Sequence, residues 1–341
     1  MLNLRTFMKL TVSAALLGTI VGSAQAQSEP ITVRVGYSSM PAHLIPTFYQ
    51  AKDALKHEGE SYNVEVVRFN GSTPQITALA AGEIDIAALS PTALALGVIN
   101  AGLDVKVVAD IIQDGIEGHY SQTIYVKSDS GIDTPEDLRG KTVAINAVGS
   151  AVDMALRAMV AKVDLDPASD IRVVETSFAN VLPMLEDDKV DAGPIQQPMA
   201  SQLVEEGKYK ALFSSGDAIG PTQFVFLVAR SEFLENNPEQ VQDFFEDHVR
   251  GFRWITDPAN REQALPIVAE ASVRPVEQMS YLFSDIDYFR DPFLVPNIEG
   301  LQLAIDTAAD LGVIPEAIQV SPDYVDTSFV EEAKRRIEAE E

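Results

Sequence analysis

Four histidines are the natural place to look for chemistry in this chain, and their spacing is unproductive. His43, His57, His119 and His248 fall in no H-x-x-x-H or H-E-x-x-H pattern, and 341 residues contain no Cys. A thiolate nucleophile, a thiolate metal site and a disulfide are therefore excluded. No G-x-G-x-x-G, G-x-x-x-x-G-K or G-x-S-x-G occurs either, which leaves nucleotide-binding and serine-hydrolase readings without support. His57 and His248 lie on polar helical stretches and read as solvent residues. His43, just after the first strand, and His119, ahead of a later strand, lie where a cleft could reach them.

What remains is binding chemistry in six short polar loops, each following a strand and feeding a helix. They are Tyr37-Ser38-Ser39-Met40, Asn70-Gly71-Ser72-Thr73, Ser90-Pro91-Thr92, Val148-Gly149-Ser150-Ala151, Ser177-Phe178-Ala179-Asn180 and Gln196-Gln197-Pro198. A helix N-terminus presents unpaired N–H groups and the positive end of the helix dipole, so several that converge can hold an anion without any cationic side chain. The competing reading is that these hydroxyls cap their own helices, as Ser and Thr commonly do. Tyr37 and Phe178 add flat faces for stacking. None of the six loops contains an Arg, so a bidentate clamp on a carboxylate is not expected. Arg34 and Arg68, on the adjoining strands, read as structural first and as binding groups second.

The elements that position these loops come in two copies. Leu79-Ala-Ala-Gly-Glu-Ile-Asp85-Ile-Ala-Ala-Leu-Ser-Pro91 is echoed by Leu185-Glu-Asp-Asp-Lys-Val-Asp191-Ala-Gly-Pro-Ile-Gln-Gln-Pro198. Val64–Asn70 answers Ile171–Ser177, and Val33-Arg-Val-Gly-Tyr37 answers Thr142-Val-Ala-Ile-Asn146. Each copy reads β-α-β-α-β, with parallel pairing implied by the helical crossovers. The expected class is α/β: two Rossmann-like lobes, with the six loops on the strand edge where such sheets take ligands. A helix is expected from about Ala42 to Lys56. Beyond Ser231 a helical region should run Pro238–Thr256, Asn260–Ala271, Pro275–Phe283, Gly300–Leu311 and Ser328–Glu340. Lobe one would hold residues 27–122 and 224–341, and lobe two residues 123–223. Two crossings, near 121–125 and 221–226, would form a hinge.

Residues 1–26 have the pattern of an export leader: Arg5 and Lys9, an apolar stretch from Leu10 to Val21, then Ala24-Gln25-Ala26. The expected product begins at Gln27, lies in a periplasm, carries no lipid anchor and has no later segment apolar enough to span a membrane. A net charge of −26 disfavours nucleic acid and anionic lipid as partners.

Ala78–Pro91, Ser128-Asp-Ser-Gly-Ile-Asp-Thr-Pro-Glu-Asp-Leu-Arg-Gly-Lys-Thr-Val-Ala144 and Val190–Pro198 together resemble the substrate-binding proteins of ABC importers. The nitrate, taurine and aliphatic-sulfonate branch, which includes pyrimidine-precursor binders, is the most similar over residues 31–335. The resemblance implies a type II periplasmic-binding fold that closes on a small molecule, a monomer without cofactor or metal, and delivery to a permease driven by a cytoplasmic ATPase. It carries the family's Ser/Gly turn onto Gly71 and Ser72, and its second-lobe Gly-Ser onto Gly149 and Ser150. Where the family has an aromatic, an acid and a proline, this chain has Gln196-Gln197-Pro198. The implied ligand is a sulfonate, taurine, nitrate, carboxylate or pyrimidine. Two alternatives stay open: a biosynthetic enzyme of the same fold (menaquinone or thiamin-pyrimidine type), and a ligand-sensing receptor partner.

Overall fold

The computed structural model describes residues 29–341. The leader and its cleavage site fall before Glu29, outside the described residues. The chain enters as β1 (Ile31–Tyr37), makes a short α1 (Ile45–Phe48), and continues through β2 (Tyr62–Arg68), α2 (Ser72–Ala80), β3 (Ile86–Leu89), α3 (Pro91–Ala101) and β4 (Val105–Asp114). It then crosses to β5 (Thr123–Lys127), β6 (Thr142–Ile145), α4 (Ala151–Lys162), β7 (Arg172–Glu175), α5 (Phe178–Glu186), β8 (Ala192–Pro194), α6 (Met199–Glu205) and β9 (Tyr209–Ser214). After α7 (Ser215–Ala218) it returns as β10 (Thr222–Arg230) and ends in α8 (Ser231–Asn236), α9 (Pro238–Thr256), α10 (Arg261–Ser272), α11 (Ile298–Asp310) and α12 (Ser328–Glu338).

Two sheets result, with strand orders β2-β1-β3-β10-β4 and β7-β6-β8-β5-β9. The topology is the same in both. Parallel pairing holds for β1 with β2 and β3, and for β6 with β7 and β8. The strand arriving from the other sheet departs from the expectation: β10 lies antiparallel between β3 and β4, and β5 antiparallel between β8 and β9.

The repeated Asp explains why the echo exists. Asp85 donates its N–H to Arg34 O at 2.9 Å, and its carboxylate accepts the Arg34 N–H at 3.0 Å. Asp191 does the same with Thr142, at 2.8 Å in both directions. Each acid locks the last strand of its repeat to the first. This pairing aligns Arg34 with Thr142, so the match of Val33–Tyr37 to Thr142–Asn146 moves by one residue. Arg34 and Arg230 also grip Asp85, at 2.9 and 2.7 Å, which spends Arg34 on structure.

The crossings lie slightly earlier than expected, at 115–122 and 215–221, because β5 and β10 belong to the sheets themselves. They run side by side, with Ser215 N–H on Gln122 O at 2.7 Å and Gly216 N–H on Ser121 Oγ at 3.0 Å. Gly115 has φ +75°, and a methyl group there would meet Gly220 O at 2.6 Å. Buried Asp114 accepts the N–H groups of Gly115 and Gln122 at 2.7 and 3.2 Å, and burial pushes its carboxyl pKa up.

Three expectations fail locally. The helix expected over Ala42–Lys56 cannot begin before Ile45, because Leu44 is left-handed (φ 60°), and it is broken into one turn at Ile45–Phe48 and a 3-10 turn at Lys52–Ala54. Pro275–Phe283 contains only a 3-10 turn, Val276–Met279, and Phe283 (φ 62°) turns the chain away. His248 is fully buried: its Nδ1 is 2.7 Å from the Tyr49 hydroxyl and Phe48 meets it edge-on, so burial lowers its pKa to about 3. It lies on the buried face of α9 with Phe244, Phe245 and Phe252, a face whose polar neighbours disguise it in the sequence.

Candidate functional site

Between the two sheets lies a cavity of about 220 Å³. The loop after β1 lines one side with Ser39, Met40, Pro41 and Ala42. The second sheet contributes Phe178 at the start of α5 and Gln196 and Gln197 after β8. Tyr120 comes from the first crossing. The segment between α10 and α11 closes the rest with Arg274, Tyr281, Ile286, Asp287 and Tyr288.

Five of the residues singled out in the sequence thus share one cavity: Ser39, Met40, Phe178, Gln196 and Gln197. The Gln197 side-chain oxygen accepts from the Ser201 N–H at 3.3 Å and the Ser201 hydroxyl at 2.8 Å in the first turn of α6, which leaves its amide N–H groups for the cavity. Tyr37 packs against the first sheet's core, and His43 is buried behind the lining loop with Nδ1 facing the Ser38 N–H at 3.5 Å. Burial, with Arg290 nearby, lowers the His43 pKa to about 4, so the ring is neutral. His119 is exposed, edge-on to Phe289 at 5.2 Å. Exposed Ser177 precedes the lining Phe178.

The helix N-termini do not all offer what their sequences promise. At α4, the Gly149 N–H goes to Asp153 at 2.9 Å and the Val148 N–H to the Glu175 carboxylate. Ser150 caps the helix through the Asp153 N–H at 3.3 Å and donates to Asn146 at 2.8 Å. Two acids of this chain therefore fill the place an anion would take, and Val313 packs over Gly149. At α3, Ser90 caps the Ala93 N–H at 3.4 Å and meets the Thr92 hydroxyl at 3.2 Å, with Pro91 buried. At α2 the N-cap is Gly71 (φ 150°, ψ −172°), which supplies no side-chain cap; exposed Asn70, with Ser72 and Thr73, surrounds that helix end outside the cavity.

None of the six loops contains an arginine, but exposed Arg274 lines the cavity from the C-terminal region. Its guanidinium makes no ion pair or hydrogen bond among the described residues. It follows Val273, a β-branched residue in left-handed conformation (φ 55°) at the end of α10. Opposite it, burial pushes the Tyr281 hydroxyl up to about 12, with Asp287 adding to the rise and Arg274 opposing it. Asp287 is spent: Arg290 bonds it at 2.8 Å, and the N–H groups of Phe283 and Tyr288 at 3.0 and 2.8 Å. Arg290 also donates to Ala42 O at 3.1 Å, tying this segment to the loop after β1. Tyr288 stacks on Phe224, meets Tyr120 edge-on at 4.9 Å, and donates to Gln122 at 3.1 Å. Sequence reasoning missed this whole wall because Pro275–Phe283 reads as helix.

A larger groove of about 610 Å³ on the outer face contains Arg250 and Arg253, but these are taken by Glu340 and Glu341 at 2.8 and 2.7 Å. The cavity between the sheets combines loops from both repeats with a cation that has no partner among the described residues.

The model of the NMT1-like family matches residues 26–269. The chain belongs to the NMT1-like family. A protein of Bacillus subtilis (strain 168) named as an aliphatic sulfonates-binding protein is 24% identical over 290 residues, covering 83% of this chain and 81% of that one. The crystal structure of the Escherichia coli periplasmic aliphatic sulphonate binding protein SsuA matches with TM-score 0.70 at 19% identity, covering 87% of this chain and 92% of that one. The desulfurization enzyme DszB has the same fold at TM-score 0.61 and 13% identity, over 90% and 99% of the two chains. The fold is thus the type II periplasmic-binding fold, and it carries both binding proteins and at least one enzyme.

Proposed function

We propose that this chain is the exported solute-binding component of an ABC importer. It captures a small organic anion between two lobes, residues 27–122 with 224–341 and residues 123–223, and hands it to a membrane permease coupled to a cytoplasmic ATPase. The observation that carries the reading is Arg274: an unpaired cation in a protein of net charge −26, set in a cavity lined by loops of both sheets. A ligand touching Met40 on one side and Phe178 or Gln197 on the other favours the closed form over the open one, and the paired crossings confine the motion to a bend. The relatives' names support binding of sulfonates, which are anions of the kind Arg274 would hold.

The enzymatic reading has DszB as a structural neighbour in its favour, and little in the cavity. Its only aliphatic hydroxyl is Ser39, its carboxylate is held by Arg290, and the chain has no Cys. The test is small-angle scattering and turnover assays with a tightly bound anion. Compaction on saturation without product formation supports the proposal; unchanged dimensions, or product formed by the protein alone, overturns it.

A further inference from the structure

Resting on that reading of the cavity, we infer that the ligand is an aromatic monoanion, such as an arene carboxylate or arene sulfonate, with its acid group on Arg274 and its ring among Tyr120, Phe178, Tyr281 and Tyr288. The chemistry of the wall separates this class from the other anions a lobe-closing protein could take. Four aromatic side chains and Met40 face a space of about 220 Å³, below the ~300–1,000 Å³ of pockets for drug-sized ligands. Such a volume suits one ring and its acid group. Aromatic faces of this kind, two of them already braced edge-to-face at 4.9 Å, gain from a flat apolar body through offset or edge contacts. A hydrated inorganic ion such as nitrate would leave them wet.

Charge decides the rest. Arg274 is uncommitted, whereas Asp287, the one lining carboxylate, is neutralised by Arg290 at 2.8 Å. The cavity therefore carries one net positive charge. It offers no free acid to an ammonium group, which disfavours zwitterions such as taurine and cationic ligands that would otherwise suit an aromatic cage. Gln196 and Gln197 supply amide donors for the remaining acid oxygens. At α4 the carboxylates of Asp153 and Glu175 hold the Gly149 and Val148 amides, so that turn is not offered to the anion.

The experiment is calorimetric titration and thermal shift of the full mature protein with benzoate, benzenesulfonate, ethanesulfonate, taurine and nitrate. Three variants accompany it: Arg274→Gln, Arg274→Lys and Tyr281→Leu. The expected result is binding of an aromatic anion at least tenfold tighter than ethanesulfonate, taurine or nitrate. Arg274→Gln should lose at least tenfold, Arg274→Lys should retain part of the affinity, and Tyr281→Leu should weaken the aromatic anion without improving ethanesulfonate. Preference for ethanesulfonate, taurine or nitrate, or full affinity in Arg274→Gln, overturns the inference while leaving a binding protein in place. Absence of binding across the whole panel also overturns it. Small-angle scattering and turnover assays with the tightest-binding anion then test the binding-protein reading separately: compaction without product upholds it, and product formed by the protein alone overturns it.

Discussion

Asp153 and Glu175 take the amides that the loop after β6 would otherwise present, and this is the point where residue identity overrules pattern. Gly149-Ser150 has the composition of an anion-binding turn, yet the acid three residues after Ser150 and a second from β7 satisfy it from within. Ser150→Ala should cost about 1 kcal/mol of stability through the lost cap. Ligand affinity should stay within twofold; calorimetry showing a tenfold loss would put that loop back in the site. Buried His43 makes a pH prediction. Its pKa is about 4 in the folded state against 6.5 as a free side chain. The unfolded chain therefore takes up a proton first, so stability is full above pH 6.5 and is lost as pH falls toward 4. Urea titrations of wild type and His43→Asn should differ in that limb by about 2–3 kcal/mol; parallel limbs would show that His43 is charged or exposed. Ser39, Met40, Phe178 and the Gln196-Gln197 pair were legible because they follow strands in a repeated pattern. Arg274 was not, because nothing local distinguishes it from other surface arginines, and only the fold reveals that it lacks a partner.

Elements were readable where period and length were unambiguous. The spacing of α9 places Phe244, Phe245 and Phe252 on one buried face, and the strand Thr123–Lys127 stands where its β-branched and aromatic run predicts. Failure came where single residues adopt unusual backbone. Leu44 and Phe283 take left-handed conformations that no propensity signals, Leu44 near the start and Phe283 at the end of a stretch whose apolar spacing is helical. The same holds for Val273, 87% exposed and left-handed, immediately before Arg274. Val273→Gly should relieve a conformational cost of about 1–2 kcal/mol, less roughly 0.5–1 for glycine's extra freedom when unfolded. The net is a small gain in stability, readable in urea. A loss would mean that the Val273 side chain contributes packing. At the crossings the margin is narrower. Gly115→Ala would place a methyl 2.6 Å from Gly220 O. It should cost at least about 2 kcal/mol or displace the second crossing, and a variant as stable as wild type would mean that the two crossings are not packed together.

At the scale of the whole molecule, duplication is what made the architecture readable. One acid per repeat, Asp85 and Asp191, joins the last strand to the first in each sheet, so sequence echo and strand order have a common cause. What duplication could not foretell is the asymmetry: the segment between α10 and α11 exists once, and it supplies five of the thirteen residues that line the cavity. A charge of −26 repels anions at long range, but screening limits that field to about 8 Å at physiological salt. An exposed, unpaired Arg at the cavity wall can therefore dominate locally. Hydrogen exchange followed by mass spectrometry, with and without saturating benzenesulfonate, tests the bridging of the two sheets most directly. The account predicts simultaneous slowing in residues 38–43, in 177–180 with 195–199, and in 274–288. Slowing confined to one sheet's loops, with the others unchanged, would contradict it.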